Sequence, residues 1–98
     1  MVKHMIIWKL NDCPEGKAAR KKKIKDALEG LVGKIDGLVE MRILTDGFDS
    51  CSGDVMMDSL FEDKEALDAY QNDPLHKEVA QGVVRPSVCE RLSFDFEV

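Results

Sequence analysis

The residues of this chain that could do chemistry gather in one short passage, Ala69 to His76. Tyr70 continues a run whose alanines recur at the three- and four-residue spacing of one helix face, so we expect it on a helix. Pro74 disfavours helical geometry in the residue before it and lacks a backbone N–H, which predicts that this helix ends before the proline. The same proline suits the first turn of a new helix, with Asp73 as its N-cap. The passage therefore predicts two helices joined at a bend, with the Tyr70 phenol and the His76 imidazole at one corner.

Each of these two side chains also has a purely structural interpretation. An isolated tyrosine near a helix end is most often an anchor, with its ring packed and its hydroxyl in contact with water. An isolated histidine in a first helical turn is usually a surface residue. Short local patterns of this kind are weak evidence. The local sequence leaves both interpretations of Tyr70 and His76 open, and the rest of the chain has to distinguish them.

The overall composition is that of a folded globular protein. Of the 98 residues, 44% are hydrophobic and 34% are charged, which predicts one ordered domain over residues 1–98. The formal net charge of -5 argues against nucleic acid as a partner, because phosphate binding requires a basic surface. No apolar run is long enough to cross a membrane, so we expect no membrane partner.

The cysteines and acidic residues do not have the spacing of a metal site. Cys13, Cys51 and Cys89 are odd in number and far apart, without a CxxC pair, so we expect neither a disulfide framework nor a zinc site. The loop 46–54 contains aspartates and serines but lacks EF-hand spacing and a closing glutamate. We therefore expect no metal and no cofactor. Reduced cysteines and a beginning without signal-peptide features predict a cytoplasmic protein.

Hydrophobic periodicity predicts strands and helices in the order β-α-β-β-α-β. A capping-box spacing, Asp12 to Glu15, predicts that the first helix begins there and runs to about Val32. The four strands are expected over residues 2–10, 38–45, 54–61 and from 88 onward. This order is typical of an α+β, ferredoxin-like fold, in which a four-stranded antiparallel sheet carries its helices on one face.

Alternation along the strands assigns side chains to the two faces of this sheet. The face that should meet the helices carries His4, Ile6, Trp8, Val39, Met41, Ile43, Val55, Met57, Leu92, Phe94 and Phe96. The other face is mixed and carries Met5, Ile7, Leu44, Met56 and Leu60 among Lys3, Lys9, Arg42, Asp58 and Arg91. That second face is too apolar to be left in water. Pairing with the same face of a second copy would bury it, which predicts a homodimer.

Three passages together resemble one known family. They are the opening Val2–Leu10, the strand-to-helix passage Leu60–Leu67 and the joint Tyr70–His76. The resemblance is to the stress-responsive A/B barrel domain family, known as Dabb, and it extends over essentially the whole chain. It implies a dimeric α/β barrel made from two sheets, with a cleft between helices and sheet in each subunit.

The resemblance also implies site residues. Some Dabb members are similar to plant polyketide cyclases, which close an aromatic ring by aldol condensation without a cofactor. Their pocket uses a first-strand histidine and the tyrosine and histidine of the helix joint, which correspond here to His4, Tyr70 and His76. Val55 stands where such cyclases carry a further histidine.

Two classes of function follow for a cavity that contains these three side chains. We expect its ligand-binding wall to include Ile6, Trp8, Val55, Met57 and Phe94. An enzyme would abstract a proton next to a carbonyl, with His76 as neutral base. Tyr70 would donate to the carbonyl oxygen or orient His76, and His4 would be a second acid/base or an anchor. A helix N-terminus would lower the pKa of His76 and favour this role. The alternatives are a non-catalytic protein that binds a small aromatic or polyketide-like molecule, and a cofactor-independent monooxygenase.

Overall fold

The strands and helices follow the predicted order. The structure is a computed structural model and describes residues 1–98. The strands are β1 (Val2–Leu10), β2 (Leu38–Leu44), β3 (Val55–Phe61) and β4 (Val88–Glu97), and the helices are α1 (Lys17–Glu29), α2 (Lys64–Asn72) and α3 (Pro74–Val79). A π-helical turn, Ala80–Val84, and a 3-10 turn, Arg85–Ser87, connect α3 to β4. The four strands pair antiparallel in the order β2-β3-β1-β4, which confirms the α+β, ferredoxin-like prediction.

The hydrophobic core lies between the sheet and the helices on one of its faces. β1 and β3 alternate as predicted, because every second residue of each strand is buried, beginning with Val2 and Val55. The helices contribute Ile24 and Leu28 from α1 and Leu67 from α2, all at most 2% exposed. None of the helices is long and apolar enough to span a bilayer.

The start of β2 departs from the predicted alternation. Leu38 is buried and Val39 is 37% exposed, so the placement of Val39 against the helices was wrong. The pairing of β2 with β3 shifts register between Leu38 and Glu40. An extra residue at such a bulge reverses the parity of the residues before it, which no periodic pattern in one strand can show.

The prediction for the faces of β4 was also wrong. Directly paired residues in an antiparallel sheet lie on the same face. Ser93 pairs with Ile6 and Asp95 pairs with His4, so the polar residues of β4 share the helix side of the sheet. Phe94 instead pairs with Met5 and lies on the outer face, together with Leu92 and Phe96. The predicted alternation is interrupted near the start of β4, where the pairing with β1 shifts register between Lys9 and Leu10. Val88 pairs with the buried Leu10 and therefore shares the face of Ser93 and Asp95, not that of Phe94.

The beginning of α1 differs from the expected capping box. The helix begins at Lys17 after Gly16, which has a φ of 87° and provides no side-chain cap. Asp12 therefore does not cap this helix. The Glu15 carboxylate forms an ion pair with Arg20 instead of reaching back to a cap residue.

A close approach brings α2 against the start of β2. Gly37 has a φ of 83°, and a Cβ at this position would collide with the Cβ of Ala66 in α2. Only glycine accommodates both this backbone conformation and this contact. The carbonyl of Gly37 also accepts a hydrogen bond from the Glu62 backbone N–H at 2.9 Å. These contacts fix where α2 begins and therefore where its far end, with Tyr70, lies over the sheet.

Candidate functional site

The joint between α2 and α3 has the predicted geometry. Asp73 lies between the two helices in an extended conformation, with φ -71° and ψ 133°. Its side chain accepts a hydrogen bond from the Leu75 backbone N–H at 2.8 Å, and Pro74 occupies the first turn of α3. The backbone N–H of Asp73 still donates to the Tyr70 carbonyl at 3.1 Å. The bend therefore orients the end of α2 and the start of α3 toward the same region of the sheet.

The structure brings the three predicted catalytic side chains together. The rings of Tyr70 and His76 are stacked at a tilt, with centroids 4.0 Å apart and an angle of 35° between their planes. The Tyr70 ring also contacts Phe61, with centroids 4.9 Å apart. The His4 ring approaches Tyr70 edge-on at 6.4 Å. Tyr70 is 1% exposed, so it is both a packed anchor and a neighbour of two imidazoles.

The position of His4 is determined by the strands on either side of β1. Ser59 of β3 and Asp95 of β4 both pair with His4 in the sheet. The Ser59 hydroxyl donates to the His4 carbonyl at 2.6 Å, and the Asp95 carboxylate is hydrogen-bonded to His4 Nδ1. Since an ionised carboxylate only accepts hydrogen bonds, His4 Nδ1 carries the proton. One of these hydrogen bonds holds the backbone of His4 and the other holds its imidazole ring, so together they fix the position of this buried side chain.

A cavity of about 680 Å³ lies between the sheet and the α2–α3 joint, and His4, Tyr70 and His76 all line it. Of the predicted wall residues, Ile6, Trp8 and Met57 line this cavity as well. Val55 does not; it pairs with Trp8 and is buried in the core.

Phe94 was wrongly placed in this wall. It lies on the outer face of the sheet and is 70% exposed.

Comparison with known proteins identifies the family. The sequence profile of the Stress responsive A/B Barrel Domain family, Dabb, matches residues 2–98. This chain belongs to the Dabb family. The family predicted from the three sequence passages is therefore confirmed. No curated protein matches the chain.

Solved structures share the fold of this Dabb protein. A dimeric protein of ferredoxin-like fold from Bacteroides fragilis is 23% identical, with a TM-score of 0.87 over 99% of this chain and 95% of that chain. A dimeric ferredoxin-like protein from Jannaschia sp. CCS1 is 27% identical, with a TM-score of 0.80 over 99% of this chain and 98% of that chain. A hydroxynitrile lyase from Passiflora edulis is 15% identical, with a TM-score of 0.81 over 99% of this chain and 92% of that chain.

The environment of the Dabb cavity shifts the pKa values of Tyr70 and His76 in opposite directions. Burial raises the pKa of Tyr70, and the positive charge of Arg91 opposes this effect. Burial lowers the pKa of His76; the Gln71 backbone carbonyl opposes this, while His4 lowers the pKa further. The prediction for His76 therefore has the right direction, but burial rather than the helix N-terminus is the main cause. At neutral pH the phenol keeps its proton and the imidazole of His76 is uncharged.

One nitrogen of the His76 ring has no hydrogen-bond partner within the protein. The atom is Nδ1, and it is buried. Buried polar atoms are usually satisfied by protein or by ordered water, so an unpartnered one requires an explanation. A ligand or a bound water at the joint would provide the missing partner. No group of three or more His, Cys, Asp or Glu side chains is arranged to hold a metal ion.

The polar side of the cavity comes from β4, which sequence reasoning missed. Arg91, Ser93 and Asp95 line the cavity, although the alternation had placed Arg91 on the outer face. Their spacing of two residues was the available signal, since it places them on one side of a strand. Pairing with β1 decides that this side faces His4.

Proposed function

We propose that this Dabb protein is a homodimer whose cavity binds a small aromatic or polyketide-like carbonyl compound and removes a proton next to the carbonyl. The observation that carries the proposal is the stacked pair of Tyr70 and His76, 4.0 Å apart, at the wall of a 680 Å³ cavity. The volume lies within the range of about 300–1,000 Å³ that is usual for small-molecule sites. The acid and the base are side chains of the protein.

The protonation states of the pair suit these roles. A general base must be unprotonated at the working pH, and the lowered pKa of His76 favours this state. A donor to a developing enolate must keep its proton until the reaction, and the raised pKa of Tyr70 keeps the phenol protonated. Both groups are therefore held in the form that proton abstraction requires.

His4 and Asp95 supply a second polar contact for the ligand. Asp95 orients the His4 ring through Nδ1, which leaves Nε2 as the nitrogen that can accept or exchange a proton. In this proposal His4 anchors the carbonyl compound or returns the proton. Asp95 acts through His4 and is a positioning residue.

The apolar wall formed by Ile6, Trp8 and Met57 supports binding of an aromatic or aliphatic group. The same wall equally suits a protein that binds without catalysis, which is the alternative that the experiment below distinguishes. Catalysis is compatible with this fold, since the hydroxynitrile lyase from Passiflora edulis shares the fold.

The outer face of the sheet supports the homodimer. Its exposed apolar side chains include Ile7, 43% exposed, and Leu92, 73% exposed. The rings of Phe94 and Phe96 on the same face have centroids 5.8 Å apart. Contiguous apolar surface of this kind usually marks an interface. The relatives from Bacteroides fragilis and Jannaschia are described as dimeric. Two-fold pairing of this face would bury it without blocking the cavity on the helix side.

The test measures exchange of the methyl protons of acetophenone with deuterated water by NMR, together with binding. We expect the protein to accelerate exchange and His76→Ala to lose a factor of about 100–10,000, the usual contribution of a general base. Tyr70→Phe should slow exchange and largely keep binding. Lys77→Ala, at the exposed residue beside His76, is the control and should behave like the parent.

Two results would change the proposal. Binding of acetophenone without accelerated exchange would identify a non-catalytic binding protein. Exchange that His76→Ala and Tyr70→Phe both leave intact would show that the site is assigned to the wrong residues.

A further inference from the structure

Arg91 is a cation of the cavity that the proposed proton transfer does not use. It pairs with Trp8 in the sheet, so its side chain leaves β4 on the helix side. It lines the cavity together with Tyr70 and His76. Its charge lowers the pKa of both of these residues, as expected for a cation on the wall of the same cavity.

No carboxylate of the chain neutralises Arg91. The seven ion pairs of the structure do not include it. Asp95, four residues further along the same face, is paired with His4 instead. Glu90 also lines the cavity, but it follows the opposite parity on β4 and pairs with Lys9 in the sheet. The guanidinium is therefore available to a ligand.

Arg85 provides an internal comparison. It too is an exposed arginine that lines the cavity, and it belongs to the 3-10 turn before β4. Its charge is not among the causes that shift the pKa of Tyr70 or His76. Of the two arginines, only Arg91 affects the pKa of the groups that would act on a carbonyl.

We infer that the cavity selects carbonyl compounds that carry a carboxylate, and that Arg91 binds this carboxylate while the carbonyl lies at Tyr70 and His76. A guanidinium matches a carboxylate with two parallel hydrogen bonds and is the usual residue for this recognition. The apolar wall formed by Ile6, Trp8 and Met57 would contact the hydrocarbon part. The ligand class is then an oxo acid with an aromatic or aliphatic body. The inference rests on the proposed function for the location of the carbonyl.

The test compares two ligands that differ only in charge. They are para-acetylbenzoate and para-acetylbenzamide, and their dissociation constants are measured by NMR titration at low and at high salt. Hydrogen bonds to charged groups stabilise a complex more than hydrogen bonds between neutral groups. We therefore expect the dissociation constant of the carboxylate to be about tenfold lower than that of the amide, or lower still. This preference should shrink as salt is added.

Matched variants assign the preference to one residue. In Arg91→Gln we expect the two ligands to bind about equally, with the affinity for the amide unchanged from the parent. Arg85→Gln removes the same charge at the same cavity and should keep the preference within about twofold. Melting curves followed by circular dichroism show that each variant is folded.

Three outcomes would overturn the inference: equal affinity of the parent for both ligands, no binding of either, or a preference that survives Arg91→Gln. Equal affinity would point to another partner for Arg91, such as an acidic side chain of the second subunit. Because the readout is binding, failure here is distinct from failure of the proton-exchange test. A carboxylate preference without exchange would keep this inference and remove the catalytic role.

Discussion

The phenol of Tyr70 has a structural role that is compatible with the chemical role proposed for it. Its ring packs against both Phe61 and His76, and its burial raises its pKa above the ordinary value. Anchoring and activity are therefore not competing interpretations, because the packing that anchors the ring also keeps its proton in place. A phenol that remains protonated can donate a hydrogen bond over the whole physiological pH range.

The raised pKa of Tyr70 predicts a distinctive alkaline titration. Tyr70 is the only tyrosine of the chain, so phenolate absorbance reports on it alone. We expect the unfolded protein in urea to ionise near the ordinary value of about 10, and the folded protein to show no step there. The stability contribution of the phenol is complete below pH ~10 and is lost as the pH rises further, because only the unfolded state then releases the proton. A folded-state step near the ordinary pKa would show that the phenol is solvated.

The lowered pKa of His76 predicts a loss of stability on acidification. Below its ordinary pKa of about 6.5, the unfolded chain binds a proton at His76 that the folded chain resists, so the free energy of unfolding falls as the pH falls. Urea unfolding at pH 7 and pH 5 measures the effect. We expect His76→Gln to lose less stability than the parent over this interval. Equal losses in the two proteins would place His76 in an ordinary aqueous environment.

At the scale of secondary structure, Asp73 controls how α3 presents His76. Its side chain caps α3 at the Leu75 N–H, and its charge raises the pKa of His76. Asp73→Ala removes both effects and should cost about 1 kcal/mol of stability. Asp73→Asn keeps a good cap but removes the charge, so it should retain stability and lower the pKa of His76 further. Urea unfolding and an NMR titration of His76 measure the two effects.

A matched control exists at the other helix of the joint. Asp63 caps α2 through the Ala66 N–H at 2.8 Å, and it does not line the cavity. Asp63→Ala should cost a similar amount of stability and leave the titration of His76 unchanged. If Asp63→Ala shifted the titration as much as Asp73→Ala, the effect would come from general loosening of the helices and not from the joint.

At the scale of the whole molecule, β4 has exposed side chains on both of its faces. Only Val88, its first residue, is half-buried, and every later residue of the strand is exposed. The outer face is apolar and the helix-side face is polar. A second copy on the outer face and a ligand on the helix side would give this edge strand two partners, which is how the proposed dimer and the proposed site fit on one sheet.

The dimer proposal predicts a strong effect of charge on the outer face. We expect a dimer at micromolar concentration by analytical ultracentrifugation. Phe94→Asp should dissociate it, because an unpaired carboxylate in an apolar interface is costly to desolvate. Lys23→Asp, at an exposed position of α1, changes the net charge in the same direction and should leave the dimer intact. A parent that is a monomer throughout this range would contradict the proposal.

Much of this architecture could be predicted from the sequence, because it depends on residues close together in the chain. Alternation in β1 and β3 determined which residues of each strand share a face. The Asp73-Pro74 pair determined where one helix ends and the next begins, since ring sterics and capping act within a few residues. His4, Tyr70 and His76 could be proposed as neighbours once the order of elements and the Dabb resemblance were combined.

The tertiary structure alone decided what depends on pairing between distant strands. Val39 is exposed because of a bulge against β3, and Phe94 is exposed because pairing with β1 turns Asp95 inward in its place. Asp95 and His4 are 91 residues apart in the chain, so no local pattern connects them. A strand's alternation defines two faces but leaves open which one meets the core, and a one-residue change of register exchanges them. For this reason the apolar wall of the cavity could be read largely from β1, while its polar wall, with Arg91 and Asp95, appeared only when β4 was paired.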